Sequence, residues 1–219
     1  MERICQFRGL KAVPPFSRIN FSLPIQSIIV YYYSIVILIY GEKRGIHMNK
    51  NTRYIYFDCI STNNWNIYIA ATDDGLCFVG SANQGLEEVE QWMRKHRHVA
   101  ELIEDTDKLS IYKLQLEQYL KGERERFDLP IDIAGTPFQR EVWNELKEIP
   151  YGHTATYSEI AEKIDRPSSV RAVATAIGSN AVMIVIPCHR VISKNGKMAG
   201  YRGGISMKSS LLELEQSSK

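Results

Sequence analysis

Between Thr136 and Asn180 the chain is punctuated for three short helices, and this run of local signals limits the fold more than any other feature. In "GTPFQREVWNELKEIPYG" (135–152), Thr136 can cap, Pro137 suits the first helical position and Gln139 completes a capping box. Phe138, Val142, Leu146 and Ile149 follow at near-helical spacing, and Pro150 and Gly152 stop the helix. "TYSEIAEKI" opens the next, with a second box from Thr156 and Glu159. "RPSSVRAVATAIGSN" makes the third, with Val170, Val173, Ala174 and Ile177 on one stripe and Gly178 at the C-cap. A short helix, a turn and a further helix read as a helix-turn-helix. "ISKNGKMAGY" (192–201) would be its wing, with a hairpin signal at Asn195-Gly196, and a last helix is expected over about 205–216.

The region before this is different. "RYIYFDCI" (53–60), "WNIYIAAT" (65–72) and "GLCFVGS" (75–81) are strand-like, with turns at Asn63-Asn64 and Asp73-Asp74-Gly75, so an antiparallel meander is expected. Helical patterns follow over 85–97 and 106–121, the second with Leu109, Tyr112, Leu116 and Leu120 near one face. "RFDLPID" (126–132) closes the region as a strand or linker. His96 and His98 sit two apart, so they do not share a helix face and read as part of a solvated charged surface rather than a metal site.

Charge separates the same regions. Residues 48–135 carry 10 basic and 15 acidic side chains, and residues 136–219 carry 11 and 8. The basic C-terminal part permits a nucleic-acid partner without demanding one. The outer face of the third helix shows Arg171, Ala172, Thr175 and Ala176, with Ser179 and Asn180 at its end. Such a low-relief surface with one planar cation suits close approach to a duplex, although Ala also serves an ordinary surface helix.

Cys5, Cys59, Cys77 and Cys188 form no C-x-x-C pair, which argues against structural zinc and fits a reducing, cytoplasmic setting. The apolar run 27–40 is shorter than the roughly 20 residues a membrane span requires. Residues 1–47 are expected to be a non-native leader: Lys43-Arg44-Gly45 can be encoded by a purine run just before Met48, like a bacterial ribosome-binding site, which makes Met48 the natural start.

"IVIPCHRVIS" (184–193) carries the chemistry. Adjacent side chains on a strand point to opposite faces, so Cys188 and His189 cooperate only if the backbone turns there. A buried structural cysteine is the commoner fate of such a residue. Around it, however, stand Asn180 eight residues earlier, Tyr201 in "GYRGG" and Glu215 on the last helix.

"GTPFQREVW", "IPYGHTATYSEIA", "RAVATAIGSN", "IPCHRVI" and "GYRGGISMKSSLLELE" resemble, in order and spacing, the O6-alkylguanine-DNA alkyltransferases. The likeness is dense over 136–216 and loose over 53–132. It implies an α+β chain: an RNase H-like N-terminal α/β domain (48–132), then a mostly helical winged helix-turn-helix domain (133–219). It implies direct reversal of O6-alkylguanine, and O4-alkylthymine, in double-stranded DNA by a cytoplasmic monomer without metal or cofactor. Cys188 would accept the alkyl group in a single turnover. His189 would take the thiol proton through a water, Glu215 would orient His189, and Asn180 would brace the turn carrying Cys188. Tyr201 would hydrogen-bond N3 of the flipped guanine, and the carbonyls of Cys188 and Val191 would accept from its exocyclic amine. Arg171 would fill the gap in the duplex, flanked by Ala172 and Thr175, and Tyr157 would press on the adjacent phosphate. Lys208 matches a position near the site.

The chain departs from the resemblance at "NAVMIV", where Ala181 and Met183 replace the prolines of an Asn-Pro-x-Pro pattern, and at Arg202, where others place Ser or Ala. Met183 and Arg202 are expected to crowd the pocket and disfavour bulky benzyl adducts. A zinc-bearing N-terminal module would need four clustered cysteines, so phosphotriester sensing is not expected. The alternative is a non-catalytic, alkyltransferase-like damage binder, in which another residue replaces the cysteine. A plain winged-helix regulator would leave Asn180, Tyr201 and Glu215 unexplained.

Overall fold

The computed structural model describes residues 53–62, 64–97, 100–198 and 200–217. The segment 1–47, taken above as a leader, and His98 lie outside the described residues. The N-terminal part is a four-stranded sheet: β1 (Arg53–Ser61), β2 (Asn66–Ala71), β3 (Leu76–Val79) and β4 (Ala100–Glu104), in the order β3-β2-β1-β4. The expected meander is present in β1-β2-β3, with Cys59 opposite Tyr68 and Ala70 opposite Phe78. β4 was not foreseen. It pairs in parallel with β1, Ile55 opposite Leu102, after the crossover helix α1 (Leu86–His96).

Alternation along the strands divides the apolar side chains between two faces. Ile55 and Ala70 pack with Val89, Trp92 and Met93 of α1. Ile60, Ile67, Ile69 and Ala71 pack with Leu109, Leu116 and Tyr119 of α2 (Thr106–Leu120). Asp105 caps α2 by accepting from the amide of Lys108 at 2.9 Å. The segment after α2 runs alongside β3: the Leu76 amide donates to Pro130, and Asp132 donates back to Leu76. A Cβ on Gly75, at φ +151°, would stand 2.6 Å from the Pro130 carbonyl carbon, so this approach requires glycine.

The C-terminal helices follow their local signals. α3 (Pro137–Lys147) and α4 (Tyr157–Lys163) begin with complete capping boxes at Thr136/Gln139 and Thr156/Glu159. α5 spans Val170–Gly178 and α6 spans Gly204–Ser217. Two expectations for α5 fail. Ala176 and Asn180 are buried rather than outward, because the Ala176 carbonyl accepts from Trp143 Nε1 at 2.8 Å and Asn180 turns inward. Gly178 is the last helical residue, and the C-cap is Ser179. The wing is also reduced. Asn195-Gly196 forms a tight turn, with Gly196 at φ +74°, closed by Gly196 to Ser193 and Ser193 to Lys197. Among the described residues no second strand follows it; instead β6 (Val191–Ile192) pairs in parallel with β5 (Ala155–Thr156).

Val142, Leu146, Val173 and Leu211 from these helices join Ile60, Leu76 and Leu116 in one continuous core. Among the described residues no helix is long and apolar enough to cross a membrane.

Candidate active site

The loop after α5 folds back on itself. The Val185 amide donates to Met183 at 2.8 Å across Ile184, making a γ-turn at φ +72°, a strained conformation for a β-branched residue. Cys188 donates to Ile186 at 2.8 Å across Pro187 (φ −80°, ψ 58°), an inverse γ-turn. Asn180 holds this path in place. Its Oδ1 accepts from the Val182 amide at 2.9 Å, and its Nδ2 donates to the Ile186 carbonyl and to Cys188 Sγ, each at 3.0 Å.

Cys188–Arg190 is a single 3₁₀ turn. Successive side chains therefore diverge by about 120° instead of the strand's opposite faces. The turn brings the adjacent cysteine and histidine into one site without placing them on the same side of the chain.

His189 is fully buried, and its Nε2 lies 2.8 Å from Oε1 of Glu215 on α6. Glu215 is also fully buried and is enclosed by donors. Arg190 donates from Nε at 3.0 Å to both carboxylate oxygens and from Nη2 at 2.9 Å; the Gly152 amide donates at 2.9 Å; the Tyr119 hydroxyl donates to Oε1. Burial would raise this carboxyl, but the hydrogen bonds from His189, Arg190 and Tyr119 win and hold it at about 2. It is therefore an acceptor only, and Nε2 of His189 must carry the proton. Nδ1 is left as the basic nitrogen, buried and with no hydrogen bond from the described residues. Burial also lowers the imidazole pKa against the raising influence of Glu215, so the ring is neutral and able to accept.

Burial raises the Cys188 thiol pKa, and the Asn180 hydrogen bond and the charges of Arg202 and Lys208 oppose it. Lys208 is fully buried and donates to the Val191 carbonyl. The Cys188 carbonyl accepts from the Val191 amide. Each of these carbonyls keeps a second lone pair. Tyr201 stands edge-on to His189, ring centroids 6.5 Å apart, and its buried hydroxyl has no partner among the described residues. Burial raises its pKa, as does the neighbouring Cys188, so it remains a donor. Tyr157, at the start of α4, is half-buried, and burial and then Cys188 push its pKa up.

Arg171, Ala172 and Thr175 are exposed on α5 and line a shallow groove of about 660 Å³ with Phe138 and Gln139. Arg202 does not stand where it was expected. Its guanidinium is taken up by Glu88 and the carbonyls of Val79, Asn180 and Ala181, so it is not free to crowd an incoming alkyl group. Two residues central to the site were missed. Arg190 had a signal, as a charge inside the apolar "IPCHRVI" run. Tyr119, far away on α2, had none.

The family described as "6-O-methylguanine DNA methyltransferase, DNA binding domain" matches residues 137–217. The "6-O-methylguanine DNA methyltransferase, ribonuclease-like domain" matches residues 55–133. The inducible methylated-DNA--protein-cysteine methyltransferase of Bacillus subtilis is 51% identical over 169 residues, covering 77% of this chain and 94% of the relative. The Methanosarcina acetivorans methylated-DNA--protein-cysteine methyltransferase is 40% identical over 153 residues, covering 69% and 92%. Among solved structures, Mycobacterium tuberculosis OGT in complex with DNA matches with a TM-score of 0.63 and 36% identity, covering 74% of this chain and 94% of that one. With both parts of the fold matched by family models and relatives up to 51% identical over most of their length, the chain belongs to the methylated-DNA--protein-cysteine methyltransferase family.

Proposed function

We propose that this protein repairs DNA by direct damage reversal, moving the alkyl group of O6-alkylguanine, and of O4-alkylthymine, onto its own Cys188. The observation that carries this reading is the hydrogen bond between His189 Nε2 and Glu215, which leaves Nδ1 basic and unpartnered among the described residues, one residue along the chain from the buried Cys188. In the reaction the thiol proton passes to Nδ1 of His189 through a water. Sγ attacks the alkyl carbon, the carbon–O6 bond breaks and its electron pair leaves on the guanine. Tyr201 donates a hydrogen bond to N3, and the base regains one proton, so overall a thiol hydrogen is exchanged for an alkyl group. Asn180 favours the thiolate through its hydrogen bond to Sγ. The product thioether has no ready leaving group, so each molecule acts once.

The target carbon is buried in a paired duplex and must be turned out, at a cost of a few kcal/mol. Arg171 on the exposed face of α5 fills the gap, Ala172 and Thr175 allow close approach, and Tyr157 bears on the adjoining phosphate. The carbonyls of Cys188 and Val191 receive the exocyclic amine, with Lys208 holding the second. The protein works as a cytoplasmic monomer of two domains, 48–132 and 133–219.

The test is mass spectrometry after incubation with a duplex containing methylguanine. One methylene gained on the Cys188 peptide, without further turnover, is expected. A wild-type protein that binds the duplex and gains nothing would select the damage-binding alternative, and repair of many equivalents would defeat both.

A further inference from the structure

Arg202 is built into the junction between the sheet and the cysteine loop. Val79, the last residue of β3, donates its amide to the Ala181 carbonyl at 2.9 Å. Arg202 straddles that contact. Its Nη2 donates to the carbonyls of Val79 and Ala181, its Nε donates to the Asn180 carbonyl at 3.3 Å, and its Nη1 meets Glu88 Oε1 at 2.7 Å. The guanidinium lies 4.8 Å from the Phe78 ring centroid. Glu88, in the first turn of α1, is fixed in turn: it accepts from the amide and the hydroxyl of Ser81, each at 2.7 Å. This is a network with three backbone acceptors, unlike an isolated surface ion pair of little consequence.

The two ends of this network are the two walls of the site. Arg202 follows Tyr201 directly in the chain. The residue whose carbonyl it grips is Asn180, whose side chain reaches Cys188 Sγ. We propose that Arg202, oriented by Glu88 of the N-terminal sheet region, is a positioning residue that fixes Tyr201 relative to the Asn180–Cys188 pair. The inference rests on the alkyl-transfer reading above. It gives the N-terminal region a part in the reaction without touching the substrate: Glu88 orients the guanidinium, and the guanidinium sets the distance between thiol and phenol. A lysine carries the charge but not the fork, and cannot hold Glu88 and three carbonyls together.

The test compares Arg202→Ala, Arg202→Lys, Glu88→Gln and the Glu88→Gln/Arg202→Ala double variant in the full chain. Methyl transfer to Cys188 at saturating methylguanine duplex is followed below each variant's melting temperature, together with duplex affinity. Arg202→Ala is expected to slow transfer by about tenfold or more at unchanged duplex affinity, because small misplacement of reacting groups is costly. Arg202→Lys should recover little, and Glu88→Gln should slow transfer in the same way. The double variant should be no slower than Arg202→Ala, since Glu88 acts through Arg202. Rates within about twofold of wild type, losses that add in the double variant, or a fall in affinity that accounts for the whole effect would overturn the proposal. Absence of any methyl capture by the wild type would instead remove the underlying reading.

Discussion

Nε2 of His189 lies 2.8 Å from Oε1 of Glu215, and neither side chain reaches solvent. The pair is held from both halves of the fold: by Arg190 and the Gly152 amide from the C-terminal part, and by the Tyr119 hydroxyl from α2. The carboxylate therefore does two jobs. It fixes the imidazole's proton on Nε2, and it balances the Arg190 guanidinium.

Glu215→Gln separates these jobs from the pH response. The variant leaves the Arg190 guanidinium buried without a counter-charge, an expected loss of about 3–5 kcal/mol. In the wild type, Glu215 is held at about 2 against an unfolded value of 4.5. A depressed carboxyl pKa contributes stability that is complete above the unfolded value and is lost as pH falls through the folded one. The His189 pKa is also lowered from 6.5, so its contribution is lost in the same direction. Wild-type stability should begin to fall below pH 6.5 and fall more steeply from 4.5 towards 2. The variant should start lower and have a shallower acid limb, since Asp58 and Glu159 are also held below their usual values and still contribute to it. Urea denaturation at a series of pH values measures both.

Tyr119→Phe keeps the ring in the core and removes only the hydroxyl that meets Glu215 and lies 3.2 Å from His189 Nε2. Stability should fall by about 1–3 kcal/mol, as for loss of a hydrogen bond to a charged group. Methyl transfer should slow while duplex affinity is unchanged. Transfer at the wild-type rate would show that the Arg190 and Gly152 contacts hold Glu215 without help.

Asn180→Ala leaves the buried Val182 amide and Ile186 carbonyl without their side-chain partner. The Ile186 carbonyl keeps the Cys188 amide, so a loss of about 1–3 kcal/mol is expected for the one amide left unsatisfied. The Asn180 hydrogen bond is also one of the influences opposing the rise of the Cys188 pKa. Iodoacetamide labelling of Cys188 should therefore move to higher pH in the variant.

Ile184→Gly sets strain against packing. Ile184 sits at φ +72° and is 1% exposed. Glycine would relieve about 1–3 kcal/mol of backbone strain. Removing the buried side chain costs about 2–5 kcal/mol or more. Packing should win, so the variant is expected to melt lower than wild type; a higher melting temperature would place the greater cost in the γ-turn.

Arg171→Ala should slow repair of duplex DNA much more than reaction with free O6-methylguanine. Arg171 is exposed on α5, away from the Glu215 network. Equal losses on the two substrates, measured by competition kinetics, would contradict the role in the duplex gap proposed for it.

Most of the C-terminal fold is legible in the sequence because its signals are local. Capping boxes at Thr136 and Thr156 and the apolar spacing of α3 act over three or four residues, and the helices begin where those residues place them. β4 was not legible. "AELIE" is five residues between two helices, and its parallel pairing with β1 depends on a partner about 47 positions away. The wing is reduced for a related reason: Asn195-Gly196 specifies a turn, but a turn alone does not supply a second strand, and none follows among the described residues.

By itself, the sequence determined where to look for the chemistry, since the motifs holding Cys188, His189, Asn180, Tyr201 and Glu215 resemble those of the alkyltransferases. Tertiary structure alone decided that Tyr119 and Arg190 enclose Glu215, that Ile184 takes a positive φ, and that Arg202 turns towards Glu88 instead of the pocket. Short-range signals fix helices because their partners are neighbours in the chain. A buried carboxylate gathers donors wherever packing brings them, and no spacing along the chain encodes which ones will arrive.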